Sequence, residues 1–276
     1  MTRNKRIARN VALYAALTAV LLFMLYPILL ILNISLKTYQ EYLVSPLSVA
    51  RGLRFDNYKL VWRDMKVLSR ALTTLWTTAA ALILNTVISL LAAFPLSRAH
   101  FKGSGKVYLY SLASMFFPGS LVATIILLRD ALFVYGSPPA LILMWGTGSL
   151  QLNIFMLYNF IKSLPRDLDD AAFIDGCGYF RYIFTIAMPL MLPIVTTLML
   201  LKTIGCWNDF LSPYIYVLDP DFRTLSTGLY LFMGERATEW NVYAAAIFTV
   251  AAPMIALYIF TQRFVISGMV SGALKG

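Results

Sequence analysis

Long uncharged apolar runs alternate with short charged stretches along the whole chain. The runs cover residues 11–33, 71–97, 107–128, 140–161, 188–204 and 240–261, and Lys202 is the one charge placed inside them. A helix needs about 20 residues to cross the hydrocarbon core. The pattern therefore predicts an all-α membrane protein with six transmembrane helices in a single domain over residues 11–261. A basic tail over residues 1–10, with Arg3, Lys5, Arg6 and Arg9, precedes it, and a tail over 262–276 follows.

The longest polar interruption on the side of the basic tail runs over residues 162–187, between the fourth and fifth predicted spans. Pro165 suits the start of a helix. Asp167, Asp169 and Asp170 complement the positive end of its dipole. Leu168, Ala171, Ala172 and Asp175 fall at i, i+3, i+4 and i+7, so the spacing puts them on one face. The two alanines keep that face narrow enough to enter a groove on a partner. Gly176 or Gly178 supplies the left-handed residue that stops the helix. A second short helix over 179–186 then leads back to the membrane ahead of Pro189. Such a cytoplasmic helix-turn-helix is too small to hold a core and is expected to pack on another protein.

Composition narrows the class. The 276 residues are 59% hydrophobic and 13% charged, with a mean hydropathy of +0.72. A soluble domain carries roughly 25% charged residues. The net charge of +10 flanks apolar runs, which points to anionic lipid and away from nucleic acid. Six crossings place both termini on one side. The short loops on the side of the basic tail are the denser in Lys and Arg, which puts both termini in the cytoplasm. Prolines at 27, 95, 118, 193 and 253 suit kinked helices around a gated path. Asn85, Gln151 and Asn153 bond across helices or line a passage. Lys202 is expected to snorkel to the nearby interface.

Catalytic chemistry is not legible. His100 is the sole histidine, Cys177 and Cys206 have no metal spacing, and neither HExxH nor GxSxG occurs. Gly103-Ser104-Gly105-Lys106 fails as a phosphate loop, because His100 stands where glycine is needed and Val107 where Ser or Thr is. The chain is not expected to be an enzyme or to bind a metal or cofactor of its own.

The run Asp170-Ala171-Ala172-Phe173-Ile174-Asp175-Gly176, followed by Pro189 and Pro193, resembles the "EAA" loop of ABC importer permeases. Asp170 stands where Glu is usual, and Cys177 where a small residue such as Ala is common. The likeness extends over most of the chain and is nearest to carbohydrate permeases of the maltose-transporter type. It includes Ser35-Leu36-Lys37, Phe55-Asp56-Asn57-Tyr58, the boundary from Ala92 to Arg98, Phe101-Lys102-Gly103, Trp207-Asn208-Asp209-Phe210 with Pro213, and Arg223-Thr224-Leu225. Gln262-Arg263-Phe264 through Gly268, with Gly272 to Gly276, resembles the closing signature of one of the two permeases in that subclass.

The resemblance implies half of a translocation pathway in a bacterial or archaeal inner membrane, for a sugar or oligosaccharide. The partners would be a second permease subunit, two ABC ATPase subunits that hold ATP and Mg, and an extracytoplasmic solute-binding protein. Asp170, Ala171, Ala172, Asp175 and Gly176 would couple to the ATPase. Gln262, Arg263, Gly272, Lys275 and Gly276 would form a second ATPase contact. Trp207, Asn208, Asp209 and Phe210 would touch the binding protein, unless Trp207 is an interfacial anchor. An importer permease for a polyamine or phosphate ester, and a six-span channel without an ATPase, are the alternatives.

Overall fold

The computed structural model describes the backbone of residues 3–117, 119–236 and 238–273, and their side chains apart from residues 3–9, Phe173 and 262–273. Fourteen α-helices follow one another, and no strand is present among the described residues. They are α1 Arg3–Ser35, α2 Tyr39–Val44, α3 Asp56–Asp64, α4 Val67–Ser97, α5 Ser104–Ala113, α6 Leu121–Ile126, α7 Pro138–Thr147, α8 Leu150–Ser163, α9 Asp167–Ile174, α10 Tyr179–Tyr182, α11 Met188–Asn208, α12 Leu211–Tyr216, α13 Leu225–Glu235 and α14 Trp240–Ala273. Among the described residues, four helical stretches are long and apolar enough to cross a membrane: Asn10–Ser35, Val67–Ser97, Tyr179–Asn208 and Trp240–Thr261. There are up to six if each of two bent pairs counts as one span.

The bent pairs are where single helices were expected. Over residues 107–128 the helix ends in a tight turn at Ser114–Phe116 and restarts behind Ser120, whose hydroxyl accepts from the Ala123 N–H at 3.3 Å. The two pieces lie 113° apart. Over 140–161 the break is milder, 42°, and falls at Gly148 and Ser149, the latter at φ +66°. Leaving a helix inside lipid exposes carbonyls that must be satisfied by protein. Asn85 of α4 donates to the Gly146 and Gly148 carbonyls at 2.8 and 3.1 Å and accepts from Asn153 of α8. Lys202 of α11 donates to the same Gly148 carbonyl at 2.7 Å. Lys202, expected to snorkel, thus turns to the carbonyl that the helix break leaves free.

The stretch predicted as the fifth span also differs. In place of a separate helix over 179–186, α10 runs through a wide turn at Ile183–Ala187 straight into α11. In that turn the Met188 N–H bonds back five residues to the Ile183 carbonyl. The widened turn takes Pro189, which has no N–H to give and whose ring would otherwise press on the preceding turn.

The chain forms two compact units. One comprises Met1–Leu68 and Gly228–Pro253. Here Lys37 is fully buried and donates to the Ser45 and Pro46 carbonyls at 2.7 and 3.0 Å and to the Ser48 hydroxyl at 3.3 Å. Asn57 donates to the Ser35 and Lys37 carbonyls and accepts from Asn241 at 3.0 Å. The short motifs around Lys37 and Asn57 are therefore two halves of one hydrogen-bonded loop. The other unit comprises Ser69–Thr227 and Met254–Gly276. Its main core joins Leu90 and Phe94 of α4, Leu157 and Ile161 of α8, and Met191 and Val195 of α11, with Ala172 of α9 at its edge.

Candidate coupling site

Helix α9 starts where Pro165 and Arg166 turn the chain out of α8. The Leu168 N–H donates to the Pro165 carbonyl, and those of Asp169 and Asp170 to the Arg166 carbonyl at 2.8 and 3.1 Å. At the far end Gly176 adopts φ +71°, while Gly178 stays at φ −68°. The Cys177 N–H then reaches back to the Ala172 carbonyl at 2.9 Å, closing the left-handed cap. Gly176 is the stop, and a side chain there would carry the strain of that conformation.

The three aspartates do not share a role. Asp167 and Asp170 are exposed, whereas Asp169 is only 8% exposed. Its Oδ2 lies 2.7 Å from Nε of Arg98, its Oδ1 accepts from Nη2 of Arg98 at 3.2 Å, and the Tyr182 hydroxyl donates to Oδ1 as well. Arg98 also donates from Nη1 to the Leu164 carbonyl at 3.2 Å. Arg98 follows the last turn of α4, so one guanidinium grips the α8–α9 junction and the first turn of α9 together. Phe94 packs its ring against Tyr182 and Tyr179, at 5.2 and 5.5 Å between centroids. A buried, multiply bonded carboxylate–guanidinium pair is rigid, because either partner alone would be a stranded charge.

Ala171 and Ala172 part company too. Ala172 is 5% exposed and belongs to the core with Phe94 and Ile183, whereas Ala171 is exposed. The expected face of Leu168, Ala171, Ala172 and Asp175 is thereby split. The inward stripe is Asp169 and Ala172. The outward ridge is Asp167, Asp170, Ala171 and Ile174, again at i, i+3, i+4 and i+7, with exposed Asp175 beside it. Ile174 is 86% exposed, a large apolar side chain on an otherwise acidic ridge. Sequence reasoning passed over Ile174, Asp169, Arg98 and Tyr182. Nothing in the spacing sets Asp169 apart from Asp167 and Asp170, so no sequence signal singles it out.

The other expected contacts fall differently. Trp207 is buried, at 4% exposed. Asp209 accepts from Nε1 of Trp145 at 2.9 Å and from the Ser212 N–H at 3.0 Å. Asn208 and Phe210 are exposed. The backbone of Gln262, Arg263 and Gly272 continues α14, but their side chains, like Lys275 and Gly276 altogether, lie outside the described residues.

The site thus consists of a short helix outside the apolar spans, pinned through Asp169 and presenting an acidic and apolar ridge. Residues 85–267 match the model of the binding-protein-dependent transport system inner membrane component family, and the chain belongs to that family. It is 33% identical over 91% of its length to the sulfoquinovosyl glycerol transport system permease protein SmoH of Agrobacterium fabrum, covering 89% of that protein. It is 30% identical over 90% of its length to the probable starch degradation products transport system permease protein AmyC of Thermoanaerobacterium thermosulfurigenes, covering 91% of it. The fold is similar to a chain of a bacterial ABC transporter involved in import of the acidic polysaccharide alginate. That match has a TM-score of 0.82 and 21% identity, and it covers 95% of this chain and 98% of that one.

Proposed function

We propose that this chain is one permease half of an ATP-driven saccharide importer, with six crossings, both termini cytoplasmic, and α9 as its coupling helix. The partners would be a second permease, two ATPase subunits that carry ATP and Mg, and an extracytoplasmic binding protein that delivers the sugar. The observation that carries the reading is the exposed ridge of Asp170, Ala171 and Ile174 on a helix locked to α4 through Arg98 and Asp169. A push on that ridge passes to α4 and α11 without first bending a flexible loop. The names of the relatives support a saccharide as the cargo.

The test is uptake by the assembled transporter in proteoliposomes with its binding protein. Ile174→Glu, Asp170→Lys and Gly176→Val should each leave the chain in the membrane yet cut ATP-dependent uptake by roughly tenfold or more, the scale of one lost interfacial anchor. Normal uptake by all three variants would sink the coupling role of α9. Uptake without any ATPase subunit would replace the importer with a channel.

A further inference from the structure

The break between α7 and α8 opens on a cavity of about 260 Å³, bounded by Trp145, Asn153, Lys202, Gly205 and Asp209, with Leu201 on its apolar side. Lys202 uses one of its three N–H groups on the Gly148 carbonyl. Asn85 already donates to that same carbonyl and to its neighbour at Gly146, so the break is supported without a charge. A cation in a membrane span that the backbone does not require marks a functional site. Asp209, which accepts from Trp145 and Ser212, has lone pairs left on both oxygens. Discontinuous helices with polar side chains at the break are also how membrane transporters form solute sites.

A second observation extends the site. A smaller cavity shares Asn153 and Leu198 with the first and is lined by Ser89. Ser89 is fully buried, and its hydroxyl has no hydrogen-bond partner among the described residues. Asn153 and Leu198 thus stand between the two cavities, and beyond them lies a hydroxyl that still needs a partner.

We propose that the cavity between Trp145, Asn153, Lys202 and Asp209 is a solute subsite on this chain that takes one ring of a neutral saccharide. The proposal rests on the importer reading for its biological role, but the site stands on its own geometry. Lys202 and Asp209 carry opposite charges into one cavity, so an ionic ligand meets no net counter-charge there. A sugar hydroxyl, both donor and acceptor, matches the ammonium and the carboxylate together, while Trp145 and Leu201 meet the ring's C–H edge. The volume lies under the roughly 300–1,000 Å³ of sites for drug-sized ligands, room for a single ring.

Gly205 supplies a clean test, because a Cβ added there meets nothing within 4 Å. Gly205→Leu should fill the cavity and leave the helix intact, and Gly205→Ala serves as the fold control. Equilibrium binding of maltose, trehalose and raffinose would be measured on the purified assembled transporter with the binding protein left out. Wild type and Gly205→Ala should bind at least one of them saturably, with Gly205→Leu and Lys202→Met weakened roughly tenfold or more. Alginate pentasaccharide should bind no better than the neutral sugars. The subsite is overturned if wild type shows no saturable binding, or if binding is indifferent to Gly205→Leu and Lys202→Met. Preference for the acidic pentasaccharide overturns the neutral class. ATP-driven uptake is assayed separately: its absence with binding intact counts against the importer reading and leaves the subsite standing.

Discussion

Lys37, in the loop after α1, and Arg98, after the last turn of α4, are both buried cations, and they hold their surroundings in opposite ways. Lys37 is satisfied by neutral oxygens 8, 9 and 11 residues ahead, so it closes its own loop. Arg98 bonds a carbonyl 66 residues away and a carboxylate 71 residues away, so it joins segments that the chain order keeps apart. An ammonium suits scattered carbonyls, whereas a planar guanidinium suits a carboxylate held flat against it. Loss of the first should therefore stay local, and loss of the second should free a whole helix.

The sharpest way to break that contrast is at Asp169. Asp169→Leu or Arg98→Met strands a buried charge and should cost about 3–5 kcal/mol, seen as a lowered thermal midpoint and poor accumulation of the permease. The double variant Arg98→Met, Asp169→Leu should recover more than half of that loss. If it recovers nothing, the pair does not act as a unit. Lys37→Met, by comparison, leaves backbone carbonyls without a donor and should cost about 1–3 kcal/mol. Hydrogen exchange should then quicken over residues 38–54 and stay unchanged over 167–174; a change in both would mean that Lys37 does not act locally.

Smaller effects refine the picture of α9. Gly176→Ala should cost about 1–2 kcal/mol, since a Cβ meets open space there but must adopt φ +71°. Gly176→Asn should be the milder change, and equal losses for the two would mean the backbone angle is not the cause. The smallest effect concerns Asp64, held below its ordinary 3.8 by the hydrogen bond from Arg63, with Arg236 adding to it. A depressed carboxyl stabilises the fold above its ordinary pKa, and that stability fades as pH falls through 3.8 and below. Exchange protection in α3 should drop over that range, and Arg236→Gln should make the drop smaller.

Much of the fold follows from the apolar runs, because a membrane span is a statement about length and charge that a sequence makes directly. A glycine stop to α9, at Gly176 or Gly178, was likewise legible, since a left-handed residue after a helix selects glycine, and the structure places it at Gly176. The breaks inside the predicted third and fourth spans were not. Gly148 and Ser149 are ordinary residues in an apolar run, and a break there is tolerable because Asn85 arrives from another helix to take the Gly146 and Gly148 carbonyls. In the same way, the pattern around Asp170 marked a short acidic helix, but periodicity offers several overlapping faces and does not say which one is buried.

By itself the sequence determined the class, an all-helical membrane chain with one acidic helix outside its spans and no catalytic residues of a recognisable pattern. Tertiary structure alone decided that Asp169 turns in while Asp167 and Asp170 turn out, that Ala172 is core and Ala171 surface, and that Lys202 faces a cavity. The physical reason is the same in each case. Hydropathy and helical period are local properties, readable along the chain, whereas the state of a buried charge is set by whichever partner the fold brings within about 3 Å. For Asp169 that partner is Arg98, 71 residues earlier.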